Sequence, residues 1–438
     1  MANGFASVPA ERRFALVNAT MPATLLDGAP DAPDPDGLVA ADIVVADGKV
    51  ERIAAAGSQS AVPRFDMRRG MVWPGFVDMH THIDKAHIWP RKPNPDGTFP
   101  AALDAVADDR TRRWSAEDVR RRMDFSLRSA HAHGTTLLRT HIDSLPPQHR
   151  ISWPVVAAMR EKWAGRIDLQ AVSLFPIDLF LDPGFAGEIV ETVARHMGVL
   201  GAVTFMVPEL DRALDLMMRA AAERGLDLDF HVDESADPAA RSLRAIAEAA
   251  IRNRFPGRIV AGHCCSLARQ EDSDAGATMD RVAEAGIAIV SLPLCNMYLQ
   301  DRQGGRTPRW RGITLLHELR ARGVSVAVAS DNTRDPFYAY GDLDAVEVFR
   351  EAVRIAHFDH PFGDWPQTVT RTPADVMRRP DRGRIATGLP ADLVLFPART
   401  WTELLSRPQA DRTVLRSGRP IDTALPDFRE LDDIMGTG

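Results

Sequence analysis

The sequence predicts an α/β fold, a (β/α)8 TIM barrel carrying a small β domain in which both chain ends pair, and three observations predict it. Between residues 71 and 379, apolar runs alternate with amphipathic helical stretches, giving eight βα units. Polar side chains gather just beyond the C-terminal ends of those runs, where a barrel of this type places its chemistry. Residues 1–70 and 380–438 break instead into short strand-like pieces separated by Gly, Pro and Asp. A doubly wound open sheet is the alternative, but the Gly-x-Gly-x-x-Gly turn that marks it after an early strand is missing.

In chain order, Asp42-Ile43-Val44-Val45 and the run from Lys49 to Ile53 flank Asp47-Gly48, a hairpin signal. Residues 27–37 are rich in Pro, Asp and Gly and read as a loop. The eight barrel strands are expected at 75–80, 136–143, 168–176, 201–206, 227–234, 258–264, 288–295 and 325–332. Ser115 and Asp118 form a capping box, Val119, Met123 and Leu127 an apolar stripe, and Gly134 a helix stop. Thr372-Pro373-Ala374-Asp375 opens another helix with Pro at its first position. Residues 391–396 and 413–416, set among Gly388, Pro390 and Gly418, read as the strands that pair with the N-terminal ones.

The chain of 438 residues is 45% hydrophobic with net charge −7 and no acidic or basic block, so no footprint for nucleic acid exists and the partner is a small molecule. No signal-peptide core and no apolar span long enough for a membrane occur. Cys264, Cys265 and Cys295 cannot form a disulfide framework and fit a reducing, cytoplasmic compartment. A homo-oligomer is compatible with all of this.

The chemistry begins at Val77-Asp78-Met79-His80-Thr81-His82, where residues i and i+2 of a strand share a face and two imidazoles can reach one ion. Alone, the pair fits equally well two imidazoles hydrogen-bonded at a strand end. The later strand ends add His141 and Asp143, then His231, Asp233 and Glu234, then His263, then Asp331 and Asn332. His80, His82, His231 and Asp331 suit one divalent metal, Zn or Fe, with a position left open for water. His141 reads as a donor that buttresses the ligands. His131 and His133 read as surface or helix C-terminal residues, Cys264 and Cys265 as packing, and Arg120-Arg121-Arg122 as the solvated face of a helix. No lysine lies on the fourth strand, where a bridging carbamylated lysine would be needed for a second metal.

These residues resemble the amidohydrolase superfamily, cytosine deaminase-like branch. Residues 74–84 are similar to its first-strand motif and Arg139-Thr140-His141-Ile142-Asp143 to its second, followed in order by His231-Val232-Asp233-Glu234, Gly262-His263 and Ser330-Asp331. Leu299-Gln300-Asp301-Arg302, Arg311-Gly312-Ile313-Thr314 and Asp335-Pro336-Phe337-Tyr338 resemble segments of bacterial cytosine deaminases, and the terminal strands resemble their split β-sandwich. The resemblance implies a hydrolytic deaminase in which a water acidified by the cation attacks an amidine-like ring carbon. Asp331 takes its proton, Glu234 protonates the ring nitrogen and then the leaving ammonia, and His263 stabilises developing charge.

The substrate-binding positions it implies are Ile177, Asp178, Asn332 and Gln300. Ile177 and Asp178 stand where cytosine deaminases carry a glutamine that reads the pyrimidine edge, and Asn332 replaces a second acid, so the ring is expected to differ from cytosine. A pyrimidine, pterin or triazine bearing an amino group fits. The rival readings are a ring-opening or N-acyl amidohydrolase on the same site, and a barrel kept only as a non-catalytic scaffold.

Overall fold

The structure, a computed structural model, describes residues 5–58 and 62–436; residues 1–4, 59–61 and 437–438 of the expected terminal domain lie outside the described residues. The eight expected barrel strands form, at Phe76–Thr81, Thr135–Asp143, Asp168–Leu174, Leu200–Thr204, Leu228–Val232, Ile259–His263, Ala288–Ser291 and Val326–Val328. Strands one to three pair in parallel, as do strands four to eight. Single bridges Val172–Val199 and Pro176–Val203 join the two groups, and Thr81–Asp331 joins the first strand to the chain just beyond the eighth. The ring is therefore closed, and the closing bridge itself lies beside His80, His82 and Asp331.

Every residue of the first and second strands is buried, as expected for strands covered on both faces. The helices bury one stripe each. In Leu210–Arg224 the buried residues are Leu210, Ala213, Leu214, Met217, Met218 and Ala221, and Gly225 ends the helix in the left-handed region at φ 64°.

Five local expectations are corrected. The seventh strand stops at Ser291 instead of reaching Cys295, because Pro293 has no N–H to give the ladder and opens the helix Pro293–Leu299. The helix expected to open at Pro373 runs Arg371–Val376, so that proline sits in its third position. Ser115 caps Ala116–His133 as expected, but the Asp118 carboxylate pairs with Arg91 and Arg122 and does not return to the cap. Arg122 is the largest departure from the solvated face: it is fully buried and donates to the backbone oxygens of Asp84 and Ala86. One residue further along a helix turns the side chain by about 100°, enough to take one arginine of a run from solvent to core. His133, read as a surface or helix C-terminal residue, is the last residue of Ala116–His133 as expected but is half-buried and pairs with Asp342 at 2.8 Å.

Two four-stranded sheets pack beside the barrel. One contains Arg13–Pro22, Leu38–Ala46, Lys49–Ala55 and Arg64–Asp66, and the hairpin that forms one edge of it turns at Asp47 (φ 48°) and Gly48 (φ 82°). The other contains Val72–Pro74, Leu393–Leu395, Thr413–Arg416 and Arg419–Pro420. Phe14, Leu16, Ile43, Val72, Leu393 and Leu415 share the core between them. Val72–Pro74 thus carries the β domain past residue 70, while Leu431 and Met435 near the other end pack on Phe125 of a barrel helix.

Arg412 makes a two-pronged ion pair with Asp344, at 2.7 and 2.6 Å, linking the C-terminal sheet to the cap of the barrel helix Ala345–Ala356. Despite burial, which raises it, Arg412 and then His133 hold the Asp344 carboxyl down at about 2. Its pKa is depressed in the fold, so its stabilisation is complete above the unfolded value of about 3.9 and disappears as pH falls toward 2. Asp344→Asn is expected to remove about 2 kcal/mol of the acid-dependent loss of stability. Urea midpoints measured across that window check this, and parallel curves for both proteins would contradict it.

Candidate metal centre and active site

His80 and His82 leave the first strand toward the barrel axis, His231 comes from the fifth, and Asp331 follows the eighth. His231 Nε2 lies 3.2 Å from His80 Nε2 and 3.1 Å from His82 Nε2. Asp331 Oδ1 lies 3.6 Å from His80 Nε2 and 3.3 Å from His82 Nε2. Four ligand atoms held tetrahedrally at metal bonds of about 2.0–2.2 Å stand about 3.3–3.6 Å apart, so these spacings fit one cation. Hydrogen bonding does not account for them, because a single lone pair on His231 Nε2 cannot serve two imidazoles. Both Asp331 carboxylate oxygens are buried without a hydrogen bond.

Electrostatics point the same way. Burial, reinforced by neighbouring imidazoles and, for His82, by Lys85, keeps His80, His82 and His231 far below the usual histidine value, hence neutral, as ligands must be. Burial pushes Asp331 up to about 7, and a dication beside it would supply the charge to hold it ionised. Three groups of possible ligands overlap here, each with ligand atoms within 4.8 Å: His80 with His82 and His141, His80 with His231 and His263, and Glu234 with His263 and Asp331. The His141 ring lies 3.9 Å from that of His80, with its Nε2 3.2 Å from Asp229 Oδ1, and Asp229 is held in turn by Arg139 at 2.8 Å.

His263 faces Asn296, whose Nδ2 lies 2.9 Å from His263 Nδ1 and donates to Glu234 Oε1 at 3.2 Å. With Nδ1 accepting, the ring hydrogen is assigned to Nε2, which is buried and has no partner in the protein. Glu234 is raised well above the carboxylate range, first by burial and then by the charge of Asp331, which favours its neutral form. His263 is held down at about 3 by burial and stays neutral. Left-handed backbone gathers here: φ is 46° at Asp233, 67° at His263 and 65° at Asp331.

The structure brings together His80, His82, His231, Glu234, His263 and Asp331. It does not bring Ile177 and Asp178 to them: Ile177 is buried in the main core, Asp178 is exposed, and among the described residues no hydrogen bond or ion pair joins either to the cluster. Gln300 donates to the backbone oxygen of Glu234 at 3.2 Å, and Asn332 donates to Asp335 at 2.7 Å, so both hold neighbours in place. Asp233 caps a helix by accepting from Ser242 and Leu243.

Three partners escaped the sequence reading. Asn296 lay just past a segment taken as strand. Lys85, buried and bound to Asp143 at 2.9 Å, follows the His-x-His pair by three residues, and that position next to the motif is the signal that could have found it. Asp229 sits within the fifth strand with no pattern to mark it.

This fold and site define the class: the chain belongs to the amidohydrolase family, whose profile matches residues 156–422. A pterin deaminase from Rhizobium rhizogenes strain K84 is 60% identical over 437 residues, 100% of each chain. The N-isopropylammelide isopropyl amidohydrolase of Pseudomonas sp. strain ADP is 24% identical over 70% of this chain and 74% of its own. The crystal structure of 5-methylcytosine deaminase from Klebsiella pneumoniae shares the fold, with a TM-score of 0.79 at 24% identity over 93% of this chain and 97% of that one. No helix among the described residues is long and apolar enough to cross a membrane.

Proposed function

We propose that the protein is a hydrolytic deaminase acting on the amino-bearing ring carbon of a pterin. The observation that carries this is the pairing of a cation-sized cluster with Glu234, a largely buried carboxyl that shares Asn296 with His263. Similarity along the whole chain to a pterin deaminase supports the ring class. His80, His82, His231 and Asp331 would hold one Zn²⁺ or Fe²⁺, both of which accept imidazole and carboxylate. When bound, the cation acts as a Lewis acid that makes a water a strong nucleophile at neutral pH.

The remaining work falls to side chains. Asp331 accepts the proton lost by the water. Glu234 delivers its proton to the ring nitrogen beside the attacked carbon, takes the proton of the carbon-bound hydroxyl and passes it to the departing amine, and is restored by the proton that Asp331 took from the water. His263 Nε2–H donates to the oxygen that gains charge as the carbon becomes tetrahedral. One C–O bond forms, one C–N bond breaks, and ammonia and the oxo-heterocycle leave. The three cysteines are free and buried, which supports a cytoplasmic setting.

Ammonia release from pterin, an aminopyrimidine and an aminotriazine tests the reading. Pterin is expected to be turned over with the highest kcat/KM. A new carboxylate without free ammonia would place the protein among ring-opening hydrolases instead.

A further inference from the structure

The chain has three tyrosines, and the fold brings all three to one place. Tyr298 lies 5.4 Å from Tyr338 and 6.0 Å from Tyr340, and the last two are 5.8 Å apart, all edge to face. The Arg302 guanidinium stands 4.2 Å from the Tyr298 ring and donates to the Tyr298 backbone oxygen, which fixes it there.

Both segments that supply these rings also supply the reacting centre. Tyr298 is on the helix Pro293–Leu299, two residues beyond Asn296, which holds Glu234 and His263. Tyr338 and Tyr340 are on the loop that follows Asp331. That loop is tied by Asp335 accepting from Phe337 and Tyr338, and by Arg334 N–H donating to the Tyr340 oxygen at 2.9 Å. Cys295 Sγ, 3.7 Å from Asn332 Oδ1 and 3.9 Å from the Phe337 oxygen, joins the two segments between the tyrosines and Asp331. Packing alone does not explain the arrangement: Tyr338 is buried, yet Tyr340 is 64% exposed, and Met297, next to Tyr298 on the helix, is 43% exposed. Among the described residues, none of the three phenol oxygens makes a hydrogen bond to the protein.

We infer that Tyr298, Tyr338 and Tyr340, with Arg302, form a stacking subsite at the mouth of the barrel for the part of the substrate that lies beyond the deaminated ring. This rests on the proposed function and deepens it: the subsite selects a fused or aryl-extended heterocycle over a single ring. A flat ring laid on the exposed Tyr340 phenol gains stacking that a single ring held at the cation cluster forgoes.

The test uses the full-length, metal-loaded enzyme with Tyr340→Ala, Tyr298→Ala and Tyr340→Phe. Two quantities are read: the ratio of kcat/KM for pterin to that for isocytosine, its monocyclic half, and the Kd of pterin from quenching of its fluorescence. Each alanine variant is expected to lower the ratio about five- to a hundredfold and to weaken pterin binding in step, with Tyr340→Phe close to wild type. An unchanged ratio, or equal losses on both substrates, overturns the subsite and leaves the deaminase reading intact. If the wild type releases no ammonia from either ring, the deaminase reading fails. The Kd then decides the subsite by itself, and pterin binding unaffected by Tyr340→Ala overturns it.

Discussion

Glu234→Gln is expected to lower kcat by about 10²–10⁴ while leaving the bound cation in place. The amide keeps the shape of the side chain and a partner for Asn296, but it has no proton to deliver to the ring nitrogen or to the departing amine. Glu234 is outside the tight set of His80, His82, His231 and Asp331, so cation content measured by elemental analysis stays at the wild-type level. The contact it shares with His263, 3.3 Å from Oε1 to Nδ1, places the two groups on one side of the cluster, where proton delivery and oxygen stabilisation act on the same carbon. A variant retaining kcat within a factor of two would remove Glu234 from the proton path. One that lost its cation would make Glu234 a ligand.

The second large effect comes from a residue with no side chain. A Cβ on Gly262 would stand 2.9 Å from His80 Cε1 and 3.1 Å from His80 Nδ1. The His80 ring has little freedom to yield, because the rings of His141 and His231 lie 3.9 and 4.5 Å away. Gly262→Ala is therefore expected to push His80 off its ligand position, lowering cation affinity about 10- to 100-fold and kcat/KM with it. The strand keeps its hydrogen bonds, so the variant still folds, and circular dichroism separates loss of metal from loss of structure. Wild-type affinity in a competition titration with a chelator would show that the ring tolerates the added methyl.

The contrast between Gly262 and its neighbour His263 shows what the sequence made legible. His80, His82, His231, His263 and Asp331 could be read because each stands at the end of an apolar run, and strand periodicity with barrel geometry is enough to point them at one axis. The family resemblance read from those motifs agrees with the family match and the full-length relative. Contacts that depend on where a helix begins were not legible. Asn296 entered the site because Pro293 turned an expected strand into a helix, and Arg122 was buried because the helix axis, and not the run of three arginines, decides which side chain faces inward. The positions that depart from the cytosine pattern differ among themselves: Asp178 faces solvent, whereas Asn332 donates to Asp335, and Gln300 donates to the Glu234 backbone.

Hydrolytic loss of ammonia at a one-cation site is tested most directly by turnover of pterin in ¹⁸O-labelled water. Mass spectrometry is expected to find one labelled oxygen in the heterocyclic product for each ammonia released, from protein carrying one divalent metal per chain. Product without the label, ammonia release undiminished after complete removal of the metal, or two metals per chain would contradict it.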